Sequence, residues 1–296
     1  KPVSVPTIQR EEELSGLLRN HVDYHPSELP SGVEVTDRTI DVDLSPTQAN
    51  LNQEFWKRTP ALLRWKLRND FPLSNSEVQR LTAFMTGPRQ AGLSPNFGSV
   101  SSDPLKSFDH SGKLQAAFGS LQKHLGSNNR SKALIFSNFV GAGINPYAAA
   151  LARDKVPHEV FHGGMSEQAR REALNRYNTG ASRVMLLSPA GAEGISTKGT
   201  NLIQVLDRHW NESRGQQAVG RGLRFDSHTG LPEDLKNVAV ERYVAHSPRP
   251  SWLSRAFGGK PTPTADEILG AQAARKEQLN EQFREVLRRV GSEGRT

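Results

Sequence analysis

Apolar positions along the chain follow two different periods. Val33 and Val35, then Ile40, Val42 and Leu44, alternate with polar residues as a half-buried strand does, with a slip of phase near Asp37. Ser45-Pro46 supplies an N-cap with proline at the first helical position, which predicts a helix through Trp56. Pro60 interrupts it, and a helix resumes over 61–68. Residues 87–112 are rich in Gly, Pro and Ser and carry no period, so a long flexible loop is expected there. Leu114, Phe118, Leu121 and Leu125 then stripe one face of a helix over 113–125.

From Lys132 onward, short apolar runs alternate with helical patterns. The runs at 133–136, 184–187 and 202–206 are those of parallel strands covered on both faces. Further strands are expected at 159–161 and 238–244, and helices over 146–153 and from Ser166 to a stop at Gly180. The alternation predicts an α/β fold, a doubly wound parallel sheet with right-handed crossovers. Ligands of such sheets sit beyond the carboxyl ends of the strands, where Ser137-Asn138, His162-Gly163-Gly164 and 188–196 are expected.

The chain thus divides into a connector over 1–30, a lobe over 31–260 and a C-terminal helical extension over 261–296. The helix of that extension, 265–290, would bury Ile268, Leu269, Ala273, Leu279, Phe283 and Leu287. Trp56 and Trp65 read as packing residues rather than base-stacking ones.

Composition adds three constraints. At 296 residues, 35% hydrophobic and 23% charged, the chain can bury a full core. It has no apolar run near the ~20 residues that span a bilayer. With no cysteine, disulfides, thiolate nucleophiles and Cys-based zinc sites are excluded. A net charge of +7 favours a polyanionic partner, although a solvated basic helix face accounts for part of it. The sequence opens on Lys1 with no secretory signal, so it is expected to be cut from a longer polypeptide that works in the cytoplasm, or in the nucleus of a eukaryote.

The densest chemistry lies between 188 and 227. A Gly-rich turn, Gly191-Ala192-Glu193-Gly194, follows one strand, and Gln217-Ala218-Val219-Gly220-Arg221-Gly222-Leu223-Arg224 has the form QxxGRxxR. On a helix, Gln217, Arg221 and Arg224 share one face. Two guanidiniums and an amide together suit a planar, bidentate anion such as a triphosphate. Gly220 and Gly222 would each cost about 1 kcal/mol in a helix interior, which suggests a close approach to this backbone.

These strings resemble motifs V and VI of superfamily 2 helicases and translocases. Trp210-Asn211 ahead of motif VI is similar to the Snf2-like branch, and the wording EGIS…WNESR…Q..GR..RF is similar to the nucleoside triphosphate phosphohydrolases and early transcription factors of large DNA viruses. The resemblance implies the C-terminal RecA-like lobe of such a motor, with Arg224 as an arginine finger on the γ-phosphate of ATP and Arg221 and Gln217 beside it. The turn over 191–196 could offer its backbone to either nucleotide or nucleic acid, and Gly191, Glu193 and Gly194 are expected at the nucleotide. Leu44-Ser45-Pro46-Thr47-Gln48 is similar to the segment that opens the second lobe, and 111–114 to the start of its core.

On the nucleic-acid side, 136–139 resembles motif IV, so Ser137 and Asn138 are expected at a phosphate backbone. His162 and Gly163 open a turn whose N–H groups could meet a phosphate, His162 being either a contact or a satisfied structural histidine. Ser188, Ser196, Thr197 and Lys198 complete the expected set, with Ser196 standing where the Snf2-like pattern has Asn. The nucleic acid implied is DNA, held by its backbone and therefore with weak sequence preference and strong salt dependence.

Two strings are missing. No GxxxxGK[ST] P-loop occurs, and the one DExx look-alike, 266–269, opens a helix instead of ending a strand. No HExxH, His cluster or GxSxG elbow offers a metal site or a nucleophile. Only half of an ATPase site is therefore present, and ATP and Mg²⁺ would be shared with an N-terminal P-loop lobe of the same polypeptide. The rival is a non-catalytic nucleic-acid-binding or interaction module with a vestigial helicase fold. A dinucleotide-binding enzyme lacks its GxGxxG.

Overall fold

Three four-residue runs, too short and too apolar for an amphipathic helix, form the centre of the sheet. In the computed structural model, which describes residues 8–18, 32–69, 71–95, 103–192, 195–209, 219–220, 223, 227–249, 252, 256 and 261–293, they pair with three further strands. In chain order the elements are α1 (Glu11–Leu18), β1 (Glu34–Asp43), α2 (Pro46–Arg58), α3 (Ala61–Arg68), α4 (Asn75–Phe84), α5 (Thr86–Leu93), α6 (Pro104–Asp109) and α7 (Gly112–Ser127). There follow β2 (Ala133–Phe136), α8 (Asn145–Arg153), β3 (His158–Phe161), α9 (Glu167–Thr179), β4 (Val184–Leu187), the single turn α10 (Pro189–Ala192), β5 (Leu202–Val205), β6 (Asn237–His246) and α11 (Ala265–Glu293).

Every strand pair is parallel, in the order β1-β6-β5-β2-β4-β3. β2, β4 and β5 are buried throughout, which is why they read as continuous runs. Alternate residues feed two cores. Ile135, Leu186 and Leu202 meet α7 and α8, while Leu134, Met185 and Ile203 meet Tyr177 of α9. The expected doubly wound α/β sheet is present.

Caps set the helix boundaries. Ser45 and Gln48 form a capping box at α2, Ser166 caps α9, and Gly180 ends α9 at φ +85°, a conformation that favours glycine. The slip of phase at Asp37 is no break in the backbone, because β1 runs unbroken beside β6. Instead the strand changes the side it buries: Val33 and Val35 pack on one core, Ile40 and Val42 on the other.

Within 87–112, the described residues are largely helical instead of the expected loop, and 96–102 lie outside the described residues. Residues 86–93 form α5, with Pro88, Arg89, Ala91 and Leu93 buried, and 104–109 form α6, capped by Asp103. Pro88 sits in the first turn of α5, where its missing N–H costs nothing, and Leu93 enters the core. Tertiary burial rather than propensity holds this helix. The expected stripe of α11 also needs correction. Leu279 and Phe283 are exposed, and among the described residues its buried apolar side chains are Ala265, Ile268 and Leu269 at its start and Val286 and Val290 at its end. The last turns meet α1, with Arg289 on Glu11 at 2.9 Å. The start is fixed by a buried Lys113–Asp266 pair, whose carboxylate also accepts from Ala245 N at 2.8 Å. Among the described residues no helix is long and apolar enough to cross a membrane.

A polar knot lies inside the α7 side of the sheet. Glu241 of β6 accepts from Tyr243 Oη at 2.5 Å, Arg38 at 2.5 Å, Ser120 Oγ at 2.7 Å and Gln204 Nε2 at 3.0 Å. Burial alone would raise its pKa, but these donors hold it below the ordinary carboxylate value. A depressed folded-state pKa stabilises the fold above the unfolded value, and that stability is lost as pH falls through the folded one. Glu241→Gln should therefore flatten the loss of stability below about pH 4, as read by denaturant titrations across that range. An acid limb as steep as in the unaltered chain would show that this carboxylate contributes nothing to it.

Candidate functional site

At the carboxyl end of β5 the chain places a buried carboxylate. Asp207 accepts from Ser137 Oγ at 2.8 Å, Asn138 N at 2.9 Å and Asn138 Nδ2 at 2.8 Å. Arg89 of α5 completes the group, with a guanidinium nitrogen 3.1 Å from Asp207, Nε donating to Arg208 O at 3.0 Å and its charge over the Phe139 ring at 4.7 Å. Asp207 thus stitches the ends of β2 and β5 to α5. Ser137 is 0% exposed, so its hydroxyl belongs to this network, and the direct phosphate contact expected of it is corrected to a positioning role. Asn138 is half-buried, and its Oδ1 has no hydrogen-bond partner among the described residues. The five-residue π-turn that follows, Val140–Ile144, needs Gly143 because a Cβ there would collide with Ser137.

The ends of β3 and β4 adjoin this group. His162 Nδ1 accepts from Gly164 N at 3.1 Å, so its ring holds the turn and that N–H is not free for a phosphate. Gly163 is exposed and its carbonyl takes Arg170 at 3.0 Å. Ser188 is buried and closes α10 by accepting from Gly191 N at 3.0 Å. Gly191 itself lies against the backbone of Phe161, where a Cβ would collide with the carbonyl. Ser137, Asn138, His162, Gly163, Ser188 and Gly191 therefore meet at one end of the sheet.

Ser196, Thr197 and Lys198 do not join them. A chain leaving β4 must return to the amino end of the sheet before a parallel β5 can begin. Asn178 at the end of α9 pins this return, donating to Ser196 O at 3.1 Å and accepting from Lys198 N at 2.9 Å. Of the described residues in 188–196, Ser188 and the turn Pro189–Ala192 lie at the carboxyl end and Ser196 does not, which corrects the expectation that all of the segment lies there. Thr197 is 0% exposed, whereas Ser196 and Lys198 face solvent.

Lys198 borders a cleft of about 810 Å³ together with Arg130, Lys132 and Arg183. Burial pushes the Lys132 pKa down, and its ammonium donates to the carbonyls of Asn178 and Lys198 at 2.9 and 3.2 Å. Nearby, buried His228 joins Ser227 Oγ and Thr200 O, each at 2.7 Å. Because a carbonyl only accepts, Nε2 carries the proton, and burial keeps the ring pKa low.

Gln217, Arg221, Arg224, Glu193 and Gly194 lie outside the described residues. Between them, Leu223 N donates to Val219 O at 3.1 Å, and both side chains pack in the α9-side core. Sequence reasoning missed Asp207, Arg89 and Asn178 as organising residues. Only Asp207 carried a signal, as the polar residue closing an apolar run.

Residues 116–226 match the family model described as helicase conserved C-terminal domain. A candidate ATP-dependent RNA helicase of Acanthamoeba polyphaga mimivirus is 30% identical over 154 residues, 52% of this chain and 33% of that protein. A termination factor NPH-I homolog of African swine fever virus is 31% identical over 111 residues, 38% of this chain and 16% of that protein. The chain thus spans a third or less of the length of these relatives. Among solved structures, the Sulfolobus solfataricus SWI2/SNF2 ATPase core in complex with dsDNA superposes with TM-score 0.55 at 17% identity, covering 85% of this chain and 50% of that one. Residues 116–226 thus match a helicase C-terminal domain, the sequence is similar to viral NPH-I and helicase proteins, and the fold is that of the C-terminal lobe of SWI2/SNF2 ATPases.

Proposed function

We propose that this lobe is the arginine-finger half of a split ATPase site in an ATP-dependent nucleic-acid translocase or helicase that acts on DNA. The observation that carries the reading is the QxxGRxxR string, Gln217 to Arg224, inside the family-matched stretch of a chain without a P-loop. A P-loop lobe of the same polypeptide would hold the β- and γ-phosphates and Mg²⁺. This chain would contribute Arg224 and Arg221 to the transferring phosphoryl group, with Gln217 beside them and the backbone of Gly191, Glu193 and Gly194 at the nucleotide. Closing and reopening of the lobes would then move the strand-end site, with Asn138 and Gly163 toward the phosphate backbone.

The dsDNA complex of a fold relative supports duplex DNA as one substrate, although a mimivirus relative is named for RNA. The test is nucleic-acid-stimulated ATP hydrolysis. This chain alone should be silent, and the full polypeptide should hydrolyse ATP faster when DNA is added. A full polypeptide inert with both DNA and RNA would leave only a binding module.

A further inference from the structure

Trp65 reads from the sequence as packing, but it is 50% exposed in the fold. It stands on α3, with Phe71 folded back against it at 4.7 Å between ring centroids and a tilt of 36°. The return is fixed by Phe71 N donating to Lys66 O at 2.9 Å. Beside the indole a groove of about 530 Å³ runs between α2 and α3, bordered by Trp56, Lys57, Arg64, Trp65 and Arg68. Its size falls within the roughly 300–1,000 Å³ of small-ligand sites.

The charge of the groove is one-sided. No carboxylate borders it among the described residues. Arg68 lies over the Trp56 ring at 5.4 Å, and among the described residues Lys57 pairs with solvent-exposed Glu54. A half-exposed indole beside guanidiniums, with no described carboxylate in the groove, is the combination by which sequence-tolerant single-strand sites work: cations track the backbone while a base stacks on the ring. A duplex keeps its bases stacked and has no face to offer. Position agrees with chemistry, because α2 leaves the carboxyl end of β1 and α5, which packs on α2, reaches Asp207 at the carboxyl end of β5.

We infer that the α2–α3 groove is a second nucleic-acid site that takes an unpaired strand by stacking a base on Trp65. It rests on the reading of the lobe as part of a nucleic-acid motor, and it assigns that motor a single-stranded segment. A purely apolar partner is disfavoured by the cations, which would be left without counter-charge.

The experiment titrates this chain with 12-nucleotide labelled oligo-dT, oligo-U and a duplex of equal length, reading both anisotropy and tryptophan emission. Trp65→Ala should weaken single-strand binding about tenfold, the scale of one base–aromatic stack, and leave duplex binding unchanged. Trp65→Phe should restore most of it. Arg64→Ala should lower the salt slope by about one. Unequal affinity for the two oligomers would tell DNA from RNA. Single-strand affinity and emission quenching unaltered by Trp65→Ala would overturn the groove, as would the absence of any single-strand binding. ATPase stimulation in the full polypeptide is scored separately, so the groove can fail while the motor reading stands, and the reverse.

Discussion

Replacing Arg224 by Ala in the full polypeptide is expected to lower nucleic-acid-stimulated ATP hydrolysis about 10²-fold or more. A guanidinium that meets the γ-phosphate acts chiefly on charge that develops in the transition state. The loss should therefore fall mostly on kcat, with a smaller change in KM. Arg224→Lys keeps the charge but loses the planar fork that grips two oxygens, so it should recover little of the rate. Nucleic-acid binding should survive both changes, because Arg224 is assigned to the nucleotide. Single-turnover rates for the three proteins would check this. Full activity in Arg224→Ala would mean that motif VI is vestigial here, and the lobe would then be a binding module.

Much of the sheet was legible because burial on both faces leaves a plain trace. β2 and β4 are unbroken apolar runs, and Ser45, Ser166 and Gly180 mark helix ends by local hydrogen bonding that a four-residue window contains. What was illegible depends on distant partners. α5 holds its shape because Leu93 enters the core and Arg89 reaches Asp207, 118 residues away. α4 was overlooked although Ser74 and Glu77 form a capping box that the sequence displays. Ser196 leaves the carboxyl end because a parallel connection must carry the two ends of one motif to opposite edges of the sheet. The exposure of Trp65 could not be read either, since an aromatic residue on a basic helix packs or stacks according to what lies over it. The arginine-finger assignment came from motif wording, and Gln217, Arg221 and Arg224 lie outside the described residues.

The second large effect concerns stability. Asp207 and Arg89 have side chains only 1% and 7% exposed. Removing one member of a buried charged pair leaves the other desolvated and uncompensated, at a cost of about 3–5 kcal/mol. Asp207→Ala strips three further donors as well, Ser137 Oγ and both nitrogens of Asn138, so the upper part of that range is expected. Arg89→Met alone should cost less, because the carboxylate it leaves behind retains those donors. Combining Arg89→Met with Asp207→Ala should recover part of the loss, since no charge is then left buried without a partner. Denaturant midpoints for the unaltered chain, the two single variants and the double variant close a mutant cycle, and its coupling energy should exceed about 1 kcal/mol. Coupling near zero, or a loss below about 1 kcal/mol in Asp207→Ala, would mean that the strand ends are held by apolar packing alone. Because Asn138 takes its orientation from the same carboxylate, Asp207→Asn offers a subtler variant. It keeps the size of the side chain but turns one acceptor into a donor facing the Asn138 amide or Arg89, so it should weaken nucleic-acid binding beyond what its stability loss explains.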